Sequence, residues 1–251
     1  MSAQSSSPSV QQIPGSALFL FLFVTFLITW GVIGIYIVAP DQAAGMFGEI
    51  SGSHPLFFLA TWSPAIAAFV VVCLHGGRSG LRGFLARLFM WRGSWGWAAF
   101  ILFVIPLVFI AGSLIKGGPV LAPLPPDGAG VVVVALFMML FLGPVEEFGW
   151  RGVMQPLLQR RLAPIWAGIV IGATWGVWHL PAFFLAGVVF ADWNFLPFFI
   201  LVSISCCSIF GDIRTSLMET MVCFFLFSLS FLACSISYSL ERRTFIARSL
   251  F

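Results

Sequence analysis

Charge is what this sequence has least of. Only 8% of its 251 residues are Asp, Glu, Lys or Arg, where a soluble domain carries about 25%. Polar aromatics are scarce too: 2 Tyr stand beside 29 Phe, and 60% of the chain is apolar. Such a composition excludes an ordinary soluble domain. It predicts an all-α, polytopic transmembrane helical bundle of about 6–7 spans. The apolar runs are continuous and lack period-2 alternation, which excludes an outer-membrane barrel. The net charge of +3 rests on basic residues that mostly flank those runs, so no nucleic-acid partner is expected. Five Cys without metal-type spacing imply neither a disulfide framework nor a structural zinc site.

Residues 1–16 (MSAQSSSPSVQQIPGS) contain no Lys or Arg, which argues for a disordered tail and against a cleaved signal peptide. Spans are expected at 17–38, at 56–74 with Pro64 as a kink, and at 95–115. Between the second and third, Arg78, Arg82, Arg87 and Arg92 stripe a short amphipathic segment, 78–92, that reads as cytoplasmic. A Pro/Gly-rich loop, 116–130, precedes a fourth span that starts near 131. Arg160 and Arg161 mark the next cytoplasmic turn. Further spans are expected at 163–189 and 195–211, with a last apolar stretch at 220–240. This alternation puts the N-terminus in the cytoplasm; a prokaryotic cytoplasmic membrane is the expected location.

The last segment breaks the pattern, because the same alternation places Arg242, Arg243 and Arg248 outside. Vocabulary shifts there as well. All 15 Pro, all 10 Trp and 24 of 25 Gly precede residue 203, whereas 203–251 holds four of the five Cys and ten Ser. The division expected is a tail (1–16), a core (17–202) and an atypical segment (203–251) that is divergent or frame-shifted. The alternative is an unusual last helix.

Chemistry concentrates in one hexapeptide. Residues 131–142 (VVVVALFMMLFL) carry no charge, and Glu146-Glu147-Phe148-Gly149-Trp150-Arg151 follows directly. Ionised groups at bilayer depth cost roughly 2.5–3.5 kcal/mol each, so those present usually face a cavity or a partner. Glu147 and Arg151 are four apart and share a helix face, with Glu on the favourable N-terminal side. Glu146 is rotated about 100° from Glu147 and is free to face something else. A carboxylate in a low-dielectric cavity is suited to take a proton from water. The plainer reading is that both acids only pair with Arg151, Arg160 or Arg161.

The second element is Trp175-Gly176-Val177-Trp178-His179-Leu180-Pro181. Of the three His, His54 and His75 are expected in loops, and His179 alone sits in a span. If 144–161 and 164–180 form a hairpin turning at about Leu162–Ala163, Glu146 and His179 lie at one level, each roughly 25 Å from the turn. Gly168, Gly172 and Gly176 recur every four residues and admit a close neighbour. A hydrogen-bonded core histidine is the plainer role for His179.

Glu146-Glu147-x-x-x-Arg151, followed some 30 residues on by Trp175-x-x-x-His179, resembles the first two motifs of the CPBP family (CAAX proteases and bacteriocin-processing proteins). These are intramembrane proteases, also called type II CAAX prenyl endopeptidases or the Abi family. The resemblance covers about residues 17–202 and implies cleavage of a peptide bond in a membrane-associated substrate, prenylated CAAX proteins among them. It implies Glu146 as the general base on water, His179 as its helper, and Glu147 and Arg151 as supports. It implies either a glutamic protease or a metalloprotease holding a divalent metal such as zinc, with Glu146, Glu147 and His179 as its ligands. The partners implied are membrane lipid and a prenylated or membrane-proximal peptide. The family's third motif, His-x-x-x-Asn on a later helix, has no counterpart: no His follows His179, and Asn194 is the one Asn.

Two other classes compete. A non-catalytic membrane chaperone or scaffold of the same fold would need no third motif. An ion-coupled transporter would use intramembrane acids, but that class often repeats its motifs in both halves, and the acidic motif occurs once. For the terminus, sequencing the coding DNA is expected to reveal an overlapping frame that resembles the family better after about residue 203. An intact frame without such an overlap would remove the frame-shift reading.

Overall fold

The computed structural model describes residues 13–86, 144–186, 188, 190 and 194–209. All regular structure among them is helical, as the composition predicts. Three helices are long and apolar enough to cross a membrane: Ala17–Val38, Ser63–Ala86 and Pro164–Phe184, the last including a terminal 3₁₀ turn. Pro144 apart, these residues lie in one compact unit made of Met1–Trp91 and Val145–Thr220. The expected third span, the loop 116–130, the start of the fourth span, Arg87, Arg92 and the apolar stretch 220–240 lie outside the described residues. Within the expected tail, Ile13 is buried and its carbonyl accepts a hydrogen bond from Arg160.

Helix α1 (Ala17–Val38) carries no charge, and at 22 residues it is roughly 33 Å long, enough for a hydrocarbon core of about 30 Å. Its buried positions Ala17, Phe21, Thr25, Thr29, Ile33 and Tyr36 fall three or four apart on one stripe. Phe19, Phe23 and Leu27 point the other way and are exposed. Water would penalise such a face, whereas lipid accepts it.

Helix α2 (Pro40–Phe47) follows, then α3 (Pro55–Thr61), which His54 caps by accepting from the Leu56 amide. Helix α4 (Ser63–Ala86) starts after a break at Trp62 and bends at Gly77, whose φ of 56° suits glycine. The expected span 56–74 and the Arg-bearing segment after it are thus α3 plus a single bent helix. His75, expected in a loop, sits inside α4, just before the bend. The break has a covalent cause. Pro64 has no N–H, so it cannot bond the carbonyl four residues back, that of Ala60. In lipid no water can take that carbonyl. The Thr29 hydroxyl of α1 donates to it at 2.8 Å.

The acidic segment follows as a 3₁₀ turn (Pro144–Glu146), α5 (Glu147–Gly149), a π-helical turn (Trp150–Met154) and α6 (Gln155–Leu158). Helix α7 (Pro164–His179) continues into the 3₁₀ turn Leu180–Phe184, and α8 (Phe195–Ile209) packs against α7. The turn between α6 and α7 spans 159–163, where the hairpin was expected to reverse.

Two glycines let the acidic segment lie flush on α4. A Cβ at Gly149 would come within 2.6 Å of the Pro64 carbonyl oxygen, and one at Gly152 within 2.7 Å of the Phe84 ring. Gly31, by contrast, meets nothing within 4 Å. Gly149→Ala is therefore expected to destabilise the protein by about 1–3 kcal/mol, because backbone must move. Gly31→Ala should not. Thermal unfolding of both variants in the same lipid checks the contrast.

Candidate active site

Pro156 shapes the acidic motif. It withholds the amide that would bond the Gly152 carbonyl, and the turn before it, Trp150–Met154, is wound as a π-helix. Such widened turns recur at functional sites. Trp150 is fully buried, edge-on to Phe21 at 5.6 Å and to Trp178 at 6.0 Å. Phe148 packs on Phe69 and Phe84 of α4. The backbone carrying the two acids is thus pinned on two sides by rings.

The acids diverge as their 100° offset predicts. Glu147 is fully buried, and its Oε2 lies 3.2 Å from Nε of Arg151, itself only 6% exposed. Glu146, also 6% exposed, turns toward α7, where the Trp175 indole donates to its Oε2 at 2.7 Å.

His179 closes α7. Its Nδ1 lies 2.9 Å from the carbonyl oxygen of Trp175. A carbonyl only accepts, so Nδ1 is the donor and bears the proton. Neutral His179 therefore carries its lone pair on Nε2. Around the ring stand Trp178 at 4.7 Å, Phe198 at 5.1 Å, and Trp175 and Phe190 each at 5.5 Å. Glu146 and His179 were expected at one level, and the structure brings both onto Trp175, one helical turn below His179.

Trp178 fastens this helix to the rest. Its indole donates to the Thr29 hydroxyl at 2.8 Å. Thr29 gives its own proton to the Ala60 carbonyl, so Ser63, which also contacts the Thr29 hydroxyl, must be the donor in that pair. Trp30 completes the knot by donating to the Trp178 carbonyl at 3.3 Å.

Sequence reading missed Trp175 as the partner of Glu146 and the whole Thr29–Ser63–Trp178 network. The available signals were an indole four residues before His179 and a hydroxyl in a chargeless span. The expected ligand trio for a divalent metal does not assemble among the described residues: Glu147 is turned to Arg151, and no three His, Cys, Asp or Glu side chains gather as a ligand set. Asn194, the chain's one asparagine, is exposed just before α8.

Removing one member of a buried ion pair leaves the other charge uncompensated, at a cost of about 3–5 kcal/mol. Arg151→Ala is expected to lower stability by that amount, and the double change Glu147→Gln, Arg151→Met should recover most of it. Chemical denaturation in mixed micelles measures both. Recovery by the double variant distinguishes the pair from simple loss of packing.

The comparisons with known proteins cover the stretch that carries both motifs. Residues 128–233 match the Rce1-like family, described as type II CAAX prenyl endopeptidase Rce1-like. That stretch contains both motifs and runs past residue 203. CAAX prenyl protease 2 of Methanococcus maripaludis is 40% identical over 53 residues, which are 21% of this chain and 20% of that protein. The match thus spans about a fifth of the relative's length. The resemblance carried by the acidic and histidine motifs therefore holds: over residues 128–233 the chain matches the Rce1-like type II CAAX prenyl endopeptidase family.

Proposed function

We propose that this membrane protein is an intramembrane endopeptidase that hydrolyses a peptide bond in a membrane-associated, prenylated CAAX-type substrate. The observation that carries the proposal is the pairing of Glu146 and His179 through Trp175 inside a helical membrane core. The family match supports the reaction class, and the name of the archaeal relative supports the substrate class. The proposed chain is multi-pass in a prokaryotic cytoplasmic membrane, and the distribution of its arginines supports a cytoplasmic N-terminus.

In the proposed reaction a water molecule lies between Glu146 and Nε2 of His179. The lone pair on Nε2 accepts one water hydrogen and orients the oxygen, while Glu146 takes the other proton. The oxygen attacks the peptide carbonyl carbon, and Glu146 returns its proton to the leaving nitrogen as the C–N bond breaks. Atoms balance without a further reactant. Glu147 and Arg151 neutralise each other one turn away and hold the backbone of Glu146.

A second reading, a scaffold of the same fold without turnover, is favoured by the missing His-x-x-x-Asn motif. An oxyanion donor of that kind contributes about 10²–10³ in rate. The composition change at residue 203 supports an altered terminus as the cause.

Liposomes carrying the protein and a farnesylated peptide separate these readings. Cleavage by the wild type, lowered about 10²–10⁴-fold in both Glu146→Ala and His179→Ala, is the expected result. Wild-type silence with activity restored by a family-type C-terminus would favour the scaffold reading. Ion flux that depends on Glu147, without proteolysis, would overturn both.

A further inference from the structure

The proposed water-activating pair spans two helices, and one residue touches both of its members. The Trp175 indole reaches across from α7 to the acidic segment and donates to Glu146 Oε2 at 2.7 Å. Along its own helix, the Trp175 carbonyl oxygen accepts from His179 Nδ1 at 2.9 Å. From these contacts we infer that Trp175 is a positioning residue, one that sets the carboxylate and the imidazole in register. The inference rests on the proteolytic reading for its catalytic consequence, though not for its geometry.

An indole has a single polar hydrogen and no acceptor, so the bond to Glu146 uses its whole hydrogen-bonding capacity. At 2.7 Å that bond is as short as bonds between an N–H and a charged oxygen. It fixes which oxygen of Glu146 is occupied, and with it the rotation of the carboxyl group.

The ring has little freedom to leave. Trp175 is 7% exposed, and its ring meets that of His179 edge-on at 5.5 Å. Beside it, Gly176 lets α8 press close, since a Cβ there would fall 2.6 Å from Phe199 Cδ2. One turn further along, the imidazole is set through the main chain. Nδ1 is committed to the Trp175 carbonyl, which leaves Nε2 as the free acceptor. Side chain and main chain of one residue thus orient the two partners, so that any rotation of α7 moves both contacts together. Two separate anchors would drift independently.

A residue that only fills the core makes a different prediction. Phenylalanine keeps most of the ring volume and retains the backbone carbonyl that His179 uses. The N–H disappears, together with two ring carbons. Trp175→Phe is therefore the discriminating variant, and packing alone predicts little kinetic change from it.

Two readouts are combined on the full chain in nanodiscs. In the first, the protein carries ¹⁵N-labelled tryptophan, and the resonance lost in Trp175→Phe identifies the Trp175 indole. Glu146→Ala should shift that resonance while leaving that of Trp166 in place as evidence of a retained fold. An unmoved Trp175 resonance overturns the inference. In the second, cleavage of a farnesylated peptide by Trp175→Phe should show kcat lowered about tenfold to a hundredfold at unchanged KM, the scale of a misplaced reacting group. Wild-type kcat in Trp175→Phe, or a loss confined to KM, overturns it as well. If the wild type itself cleaves nothing, the proteolytic reading falls, and the indole resonance alone decides whether Trp175 holds Glu146.

Discussion

In a bilayer a backbone carbonyl that loses its helical partner has no water to fall back on, and the rest of this core follows from how one such carbonyl is satisfied. Pro64 strips Ala60 of its partner, and the Thr29 hydroxyl of α1 replaces it. Thr29 then has room to accept from Trp178 of α7 and to meet Ser63 of α4. A defect in one helix thereby becomes a junction of three. Trp178 is the residue before His179 and lies edge-on to it at 4.7 Å. The position of the imidazole is in this sense inherited from a missing amide some 115 residues earlier.

The acidic segment is held by the opposite means, close backbone contact in place of hydrogen bonding. Between helices in lipid there is little hydrophobic drive, so small residues that allow close approach supply the attraction. Gly149 and Gly152 bring the segment against Pro64 and Phe84 of α4. Pro64 therefore does two things: it frees the carbonyl that ties α1 to α4, and it forms the surface on which the acids' backbone rests. The charges are then sorted by rotation alone. Glu147 meets Arg151 within its own segment, and Glu146 points across to α7.

Much of this was legible in the sequence, for reasons that can be named. The all-helical membrane class follows from the shortage of charge. The α6–α7 hairpin follows from the paired arginines Arg160 and Arg161, and the Glu147–Arg151 pair follows from i,i+4 spacing. What escaped detection depends on contacts between helices distant in the chain. Nothing in the local sequence says that Thr29 will answer Pro64, or that the indole of Trp175 will meet Glu146. Span boundaries near proline were displaced too. Pro64, expected to kink the middle of a span, lies in the first turn of α4.

The tautomer of His179 carries a consequence for the chemistry. With its proton on Nδ1 and committed to Trp175, the neutral ring offers only a lone pair at Nε2. Such a nitrogen orients water well, yet it has no hydrogen to give the oxygen that becomes negative when the carbonyl is attacked. Glu146 is likewise an acceptor until it has taken the water's proton. In the proposed reaction the two groups make the nucleophile and leave the oxyanion without a donor from either. After residue 203 prolines and tryptophans cease, although the family match continues to residue 233. The described helices thus supply the two acceptors of the proposed reaction, the Glu146 carboxyl group and Nε2 of His179, both held by contacts to Trp175.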